Sequence, residues 1–107
     1  MLRPRGLATA ALGAVVLAAS QAPAARPPAV DIQNFKFGPP VLTVPVGARV
    51  TWTNHDEETH TVTSATGAFG STGLSHEETF AQTFARPGTY AYFCALHPQM
   101  KATVVVR

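Results

Sequence analysis

From Val30 to the C-terminus the chain has no stretch of sustained helical periodicity; its apolar residues recur every second position in short runs. Val30-Asp31-Ile32-Gln33 alternates, as do Arg49-Val50-Thr51-Trp52-Thr53 and Thr79 to Ala85, where Phe80 and Phe84 flank Gln82. Between the runs stand turn formers: Gly38-Pro39-Pro40, Pro45-Val46-Gly47, the Gly/Ser/Thr-rich stretch from Ser64 to Gly73, and Arg86-Pro87-Gly88. Proline pre-sets φ and glycine accepts positive φ, so each break reverses the chain at low cost. About seven or eight short strands with turn signals every 8–12 residues predict an all-β fold, an antiparallel β-sandwich. Strands are expected at 42–44, at Thr61-Val62-Thr63, from Thr89 to Cys94 and from Ala102 to Arg107.

Strand parity constrains one of these closely. In Tyr90-Ala91-Tyr92-Phe93-Cys94, residues 90, 92 and 94 point to one side of their sheet. Two tyrosine rings directed into a core carry the Cys94 sulfur inward with them, to the sheltered rim of the sandwich.

At 107 residues the chain holds one domain at most. Residues 1–24 read as a secretory signal: Arg3 and Arg5, a small and apolar run from Leu7 to Ala19, then cleavage-compatible sites at Ala18-Ala19-Ser20 and Ala22-Pro23-Ala24. The run is short of the ~20 residues that span a bilayer. The expected domain is 25–107, exported to the periplasm or secreted, with no membrane insertion after cleavage. The leader also explains the formal charge of +2. Without its two arginines the domain has six cations (Arg26, Lys36, Arg49, Arg86, Lys101, Arg107) against six carboxylates. A neutral domain gives no support for nucleic-acid binding. A single cysteine cannot form an internal disulfide, so a small exported domain lacks its usual staple and a bound metal is one substitute.

That cysteine opens the stretch CALHPQM, with His97 three residues on and Met100 three beyond. Singly, each has an ordinary explanation: a buried thiol, a His-Pro turn, a methionine filling a core gap. Together in one turn-forming segment they can converge on one point. Thiolate and thioether are soft donors that suit copper(I), and imidazole suits both copper oxidation states. One cysteine alone argues against structural zinc, an iron–sulfur cluster or covalent haem. A trigonal site needs a second histidine, from His55, His60 or His76. His60 stands at the mouth of a strand and is preferred for rigidity, whereas His55 and His76 lie in polar segments and are expected to be exposed.

The set Val50-Thr51-Trp52-Thr53-Asn54, His60-Thr61-Val62, Phe84, Pro87-Gly88-Thr89-Tyr90-Ala91-Tyr92-Phe93-Cys94, His97-Pro98 and Met100 resembles the cupredoxins, the small type 1 blue-copper proteins. Cys-x-x-His-x-x-Met is the short ligand loop of the amicyanin type, and the likeness runs from Ile32 to Val106. It implies a Greek-key β-sandwich and one copper ion held by His60, Cys94, His97 and, weakly, Met100. It further implies a monomeric electron carrier, not an enzyme, that docks transiently near His97 with a redox partner such as a cytochrome or oxidoreductase. Leu96 and Pro98, with Phe37 or Pro39, are the expected apolar patch there, and Asp56, Glu57, Glu58, Glu77 and Glu78 could steer a basic partner. Copper delivery, buffering or resistance uses the same ligands and is the alternative. Two departures from the family stand out. Thr61 and Ala95 replace the usual Asn and hydroxyl residue that tie the ligand loop, so a looser loop is expected. Leu96 replaces a proline and retains an N–H, expected to donate a second hydrogen bond to the Cys94 sulfur.

Overall fold

The computed structural model describes residues 26–107, so the expected leader lies outside the described residues. Eight strands follow in order: β1 (Ala29–Gln33), β2 (Lys36–Gly38), β3 (Val41–Val44), β4 (Arg49–Asn54), β5 (Thr63–Ser64), β6 (Thr79–Thr83), β7 (Gly88–Phe93) and β8 (Lys101–Val106). They form two four-stranded sheets, ordered β2-β1-β4-β6 and β3-β8-β7-β5. The all-β sandwich read from the alternation is the observed architecture. Its pairing is mixed, however, because β1 runs parallel to β4 and β3 parallel to β8. Parallel neighbours need a crossover. Here β3, in the opposite sheet, lies between β1 and β4 in the chain, so the crossing also binds the two layers together.

Alternation decides which side of each strand is buried. Val30 and Ile32 of β1, Val50 and Trp52 of β4, and Ala102, Val104 and Val106 of β8 all face the interior. Trp52 stands at the centre, with Tyr92 edge-on at 5.5 Å and the rings of Phe80, Phe69 and Phe84 at 5.7, 6.2 and 6.5 Å. Burying one such large apolar side chain is worth roughly 1.5–3 kcal/mol, so this cluster is a main source of stability. Trp52 Nε1 and the Tyr92 hydroxyl are buried there without a hydrogen-bond partner. Burial pushes the Tyr92 phenol up to about 12, and the nearby indole pulls only weakly the other way, so the ring stays neutral.

Two expectations shift. The strand expected at Thr61-Val62-Thr63 is only Thr63–Ser64. The preceding backbone is instead satisfied by side chains: Val62 N–H donates to Ser71 Oγ and Thr61 N–H to Cys94 Sγ. The second shift is at Asn34-Phe35, which turns the chain so that Ile32 pairs with Phe37. Phe37 is therefore buried on the same face as Ile32 and cannot belong to a surface patch.

Candidate metal centre

The segment Cys94–Met100 continues β7 into β8 through two successive tight turns. His97 N–H donates to the Cys94 carbonyl at 3.2 Å, and Met100 N–H to the His97 carbonyl at 2.9 Å. Cys94 N–H closes the loop on the Met100 carbonyl at 3.1 Å. A three-residue spacing thus puts Cys94, His97 and Met100 at the corners of consecutive i→i+3 turns, both anchored at strand ends. Cys94 is fully buried, as the parity of β7 requires, and Met100 is buried at the entrance to β8.

His60 comes from the opposite side, in the β4–β5 connection. It is not in a strand but forms a bridge with Leu74, bonded in both directions at 3.1 and 2.7 Å. The connection itself is braced by Asn54, fully buried at the end of β4. Its Nδ2 donates to the Glu58 and Leu74 carbonyls, both at 2.8 Å, and its Oδ1 accepts the Asp56 N–H at 2.9 Å. His60 is fully buried as a result, whereas His55 and His76 lie outside the cluster. His76 is exposed and His55 about one-third so.

The donor atoms of His60, Cys94 and His97 lie within 4.8 Å of one another. Cys94 Sγ is 3.7 Å from Nδ1 of each histidine, and the two Nδ1 atoms are 3.2 Å apart. A single ion with bonds of ~2.0 Å to nitrogen and ~2.3 Å to sulfur, spread at trigonal angles, separates N from S by about 3.7 Å. The observed spacings fit one small soft cation, which makes the cluster a candidate copper site.

The surroundings set the chemistry of each donor. His60 Nε2 lies 2.8 Å from Asp56 Oδ2; the carboxylate requires a proton on Nε2 and leaves the Nδ1 lone pair facing the cluster. Asp56 also accepts the N–H groups of Asn34 and Phe35 at 2.7 and 2.9 Å. Burial would raise its carboxyl, but these donors together with His60 outweigh it and hold the group below the usual carboxylate range. The Cys94 sulfur accepts one backbone donor, Thr61 N–H at 3.3 Å. Among the described residues no bond joins Leu96 N–H to that sulfur, so the expected second donor is not there. The expected looseness of the loop is also not observed, because Thr61 Oγ1 accepts the Ala95 N–H at 2.7 Å and bonds Thr63 Oγ1 at 2.9 Å. A threonine hydroxyl is long enough to reach the backbone, so no side-chain partner is needed at residue 95.

The outer surface differs from expectation in one residue. Leu96 is 56% exposed, as anticipated, but the exposed aromatic beside His97 is Phe35, 40% exposed, in place of Phe37. The Phe35 ring meets those of His60 and His97 edge-on, at 4.9 and 5.0 Å. Neither the place of Phe35 nor the bracing roles of Asp56 and the buried Asn54 were read from the sequence. The spacing of Asp56 from His60, four residues in a short polar loop, was the available signal.

A model of the cupredoxin-like domain matches residues 6–106. The chain belongs to the cupredoxin-like family. Among curated cupredoxins it is 39% identical to amicyanin from Paracoccus denitrificans over 82 residues, 72% of this chain and 63% of that protein. To amicyanin-alpha from Methylorubrum extorquens it is 38% identical over 104 residues, 92% of this chain and 87% of the relative. The chain therefore spans less than two thirds of the first relative and most of the second. A solved reduced, copper(I) form of an amicyanin variant superposes with a TM-score of 0.73 at 35% identity, covering 78% of this chain and 85% of the other.

Proposed function

We propose that this cupredoxin is an exported blue-copper electron carrier, with His60, Cys94 and His97 as the strong ligands of one copper ion and Met100 as a weak axial fourth. The convergence of two imidazoles and one thiol at 3.2 and 3.7 Å on a braced frame carries this reading. Copper, when bound, supplies a one-electron couple. The residues do the rest by not moving. Asp56 and the Leu74 bridge hold His60, the closed turns hold Cys94, His97 and Met100, and Thr61 joins the two groups. Donors of mixed softness at fixed positions suit both copper oxidation states without rearrangement. Four protein donors leave no coordination position for a substrate, which favours a carrier over an enzyme.

Residues 1–24 serve as the export signal in this reading, and 25–107 is the functional domain. His97 is half-buried beside exposed Leu96 and Phe35, a small apolar surface suited to a redox protein that docks briefly and leaves. Charge favours the same face. All six carboxylates stand on β1 and on the connections at the His60 end, where Lys36 and Lys101 offset two of them, whereas Arg49, Arg86 and Arg107 lie at the opposite end. A nearly neutral molecule with that asymmetry presents its metal end to a partner with a basic surface. Voltammetry of the copper-loaded protein tests the carrier role. A reversible one-electron wave with the metal retained over repeated cycles is expected. Release of copper on reduction would instead indicate a copper-handling protein.

A further inference from the structure

The β1–β2 hairpin has a two-residue loop, Asn34-Phe35, inside the Gln33↔Lys36 pair. Both residues have positive φ, 54° and 59°, as a type I′ turn requires. The favoured pair for such a turn is Asn-Gly, since glycine alone enters left-handed backbone without a side-chain penalty. Here phenylalanine stands in the glycine position, a bulky residue in a region that bulky residues avoid. The Asp56 carboxylate holds it there through the Asn34 and Phe35 N–H groups, and the same carboxylate bonds His60 Nε2. One side chain thus fastens the hairpin tip to a histidine of the metal centre.

The Phe35 ring is nearly perpendicular to both imidazoles, at 84° to His60 and 87° to His97, and the imidazole centroids are themselves 5.0 Å apart. A residue selected for the turn alone would be glycine, and one selected for the core would be inside. Phe35 is neither. The two histidines also differ in support. His60 is fixed through Nε2 by Asp56, whereas among the described residues His97 Nε2 has no hydrogen-bond partner. Metal-binding histidines ordinarily owe their ring orientation to such a partner.

We propose that Phe35 is a positioning residue of the metal centre: its ring, pinned over the site by the Asp56-held turn, fixes the orientation of the His97 imidazole and buttresses that of His60. This rests on the reading of both histidines as copper ligands. The strained backbone persists because the aromatic edge supplies His97 with the constraint that no second-nitrogen bond provides.

The test uses Phe35→Gly, with Phe35→Asn as a second ring-free variant that tolerates left-handed backbone, and Phe35→Tyr, which keeps the ring. Imidazole 13C relaxation in the metal-free proteins reads ring order, and copper loss to a competing chelator reads its consequence. Both ring-free variants should retain their fold, show a mobile His97 ring and lose copper about tenfold faster or more. Phe35→Tyr should match the wild type in both measurements. Unchanged His97 order and unchanged copper loss in the ring-free variants would overturn the proposal. The metal-free measurement separates this inference from the reading beneath it: a wild-type protein that takes up no copper defeats the proposed function, while the ring order still decides the role of Phe35.

Discussion

The Thr61 hydroxyl accepts the Ala95 N–H at 2.7 Å, joining the connection that carries His60 to the loop that carries Cys94, His97 and Met100. The contact replaces a side-chain pair by a side chain bonded to backbone. Thr61→Val keeps the shape and removes the acceptor. It should lower stability by about 0.5–1.5 kcal/mol in urea titration, the net worth of an ordinary hydrogen bond. Amide exchange at Ala95 should accelerate at the same time. Unchanged exchange at Ala95 would show that the tie does not hold the loop.

Asp56 is a stronger junction, since its carboxylate receives three N–H groups. Asp56→Ala leaves His60 without its Nε2 acceptor and the hairpin tip without its clamp. Hydrogen bonds to a charged group are worth about 1.5–3 kcal/mol, and a loss in that range is expected for the metal-free protein. Copper affinity should fall by roughly 10–100-fold, as for other partners of ligating histidines. Competition with a chelator of known affinity measures it.

His55 governs a pH dependence away from the metal centre. Its Nε2 is bonded to Asp31 at 2.9 Å and its Nδ1 lies 3.4 Å from Glu77. The Asp31 hydrogen bond, with Glu77 adding in the same direction against a desolvation penalty, raises the His55 pKa above 6.5. The folded state then binds the proton more tightly than the unfolded chain. The resulting stability is fully present below pH 6.5 and is lost as pH rises through the folded value. Melting temperatures across that window should fall more steeply for the wild type than for His55→Gln. Parallel curves would remove His55 from the account.

Leu96 is exposed and bonds nothing at the sulfur, and in the proposed function it belongs to the docking surface. Leu96→Glu should change metal-free stability by no more than about 0.5 kcal/mol. Electron exchange with a redox partner should slow by about tenfold or more, because a charge in a small apolar contact must be desolvated on docking. Equal rates by stopped-flow would place the docking surface elsewhere.

Local patterns made the sandwich, and the loop that carries candidate metal donors, legible in the sequence. Period-two alternation reports burial strand by strand, and Cys94, His97 and Met100 lie within seven residues of one another. What escaped depended on how distant segments meet. Strand parity across an unbroken stretch puts Phe35 and Phe37 on one face. The two-residue turn instead pairs Ile32 with Phe37 and sends Phe35 to the histidines. That turn was hidden because its second residue is not glycine. Asp56 read as part of an acidic loop, since its three donors come from β1–β2 and from His60. The mixed pairing was likewise invisible, because whether β1 meets β4 is a property of the crossover and not of either strand.

The central claim is that His60, Cys94 and His97 bind one copper ion through the cysteine thiolate on a frame already shaped for it. Adding copper(II) to the purified metal-free protein while recording the visible spectrum tests this most directly. The account predicts an intense blue thiolate-to-copper band that saturates at one equivalent and is absent from Cys94→Ser. A complex that stays colourless, or a band that survives loss of the sulfur, would contradict it.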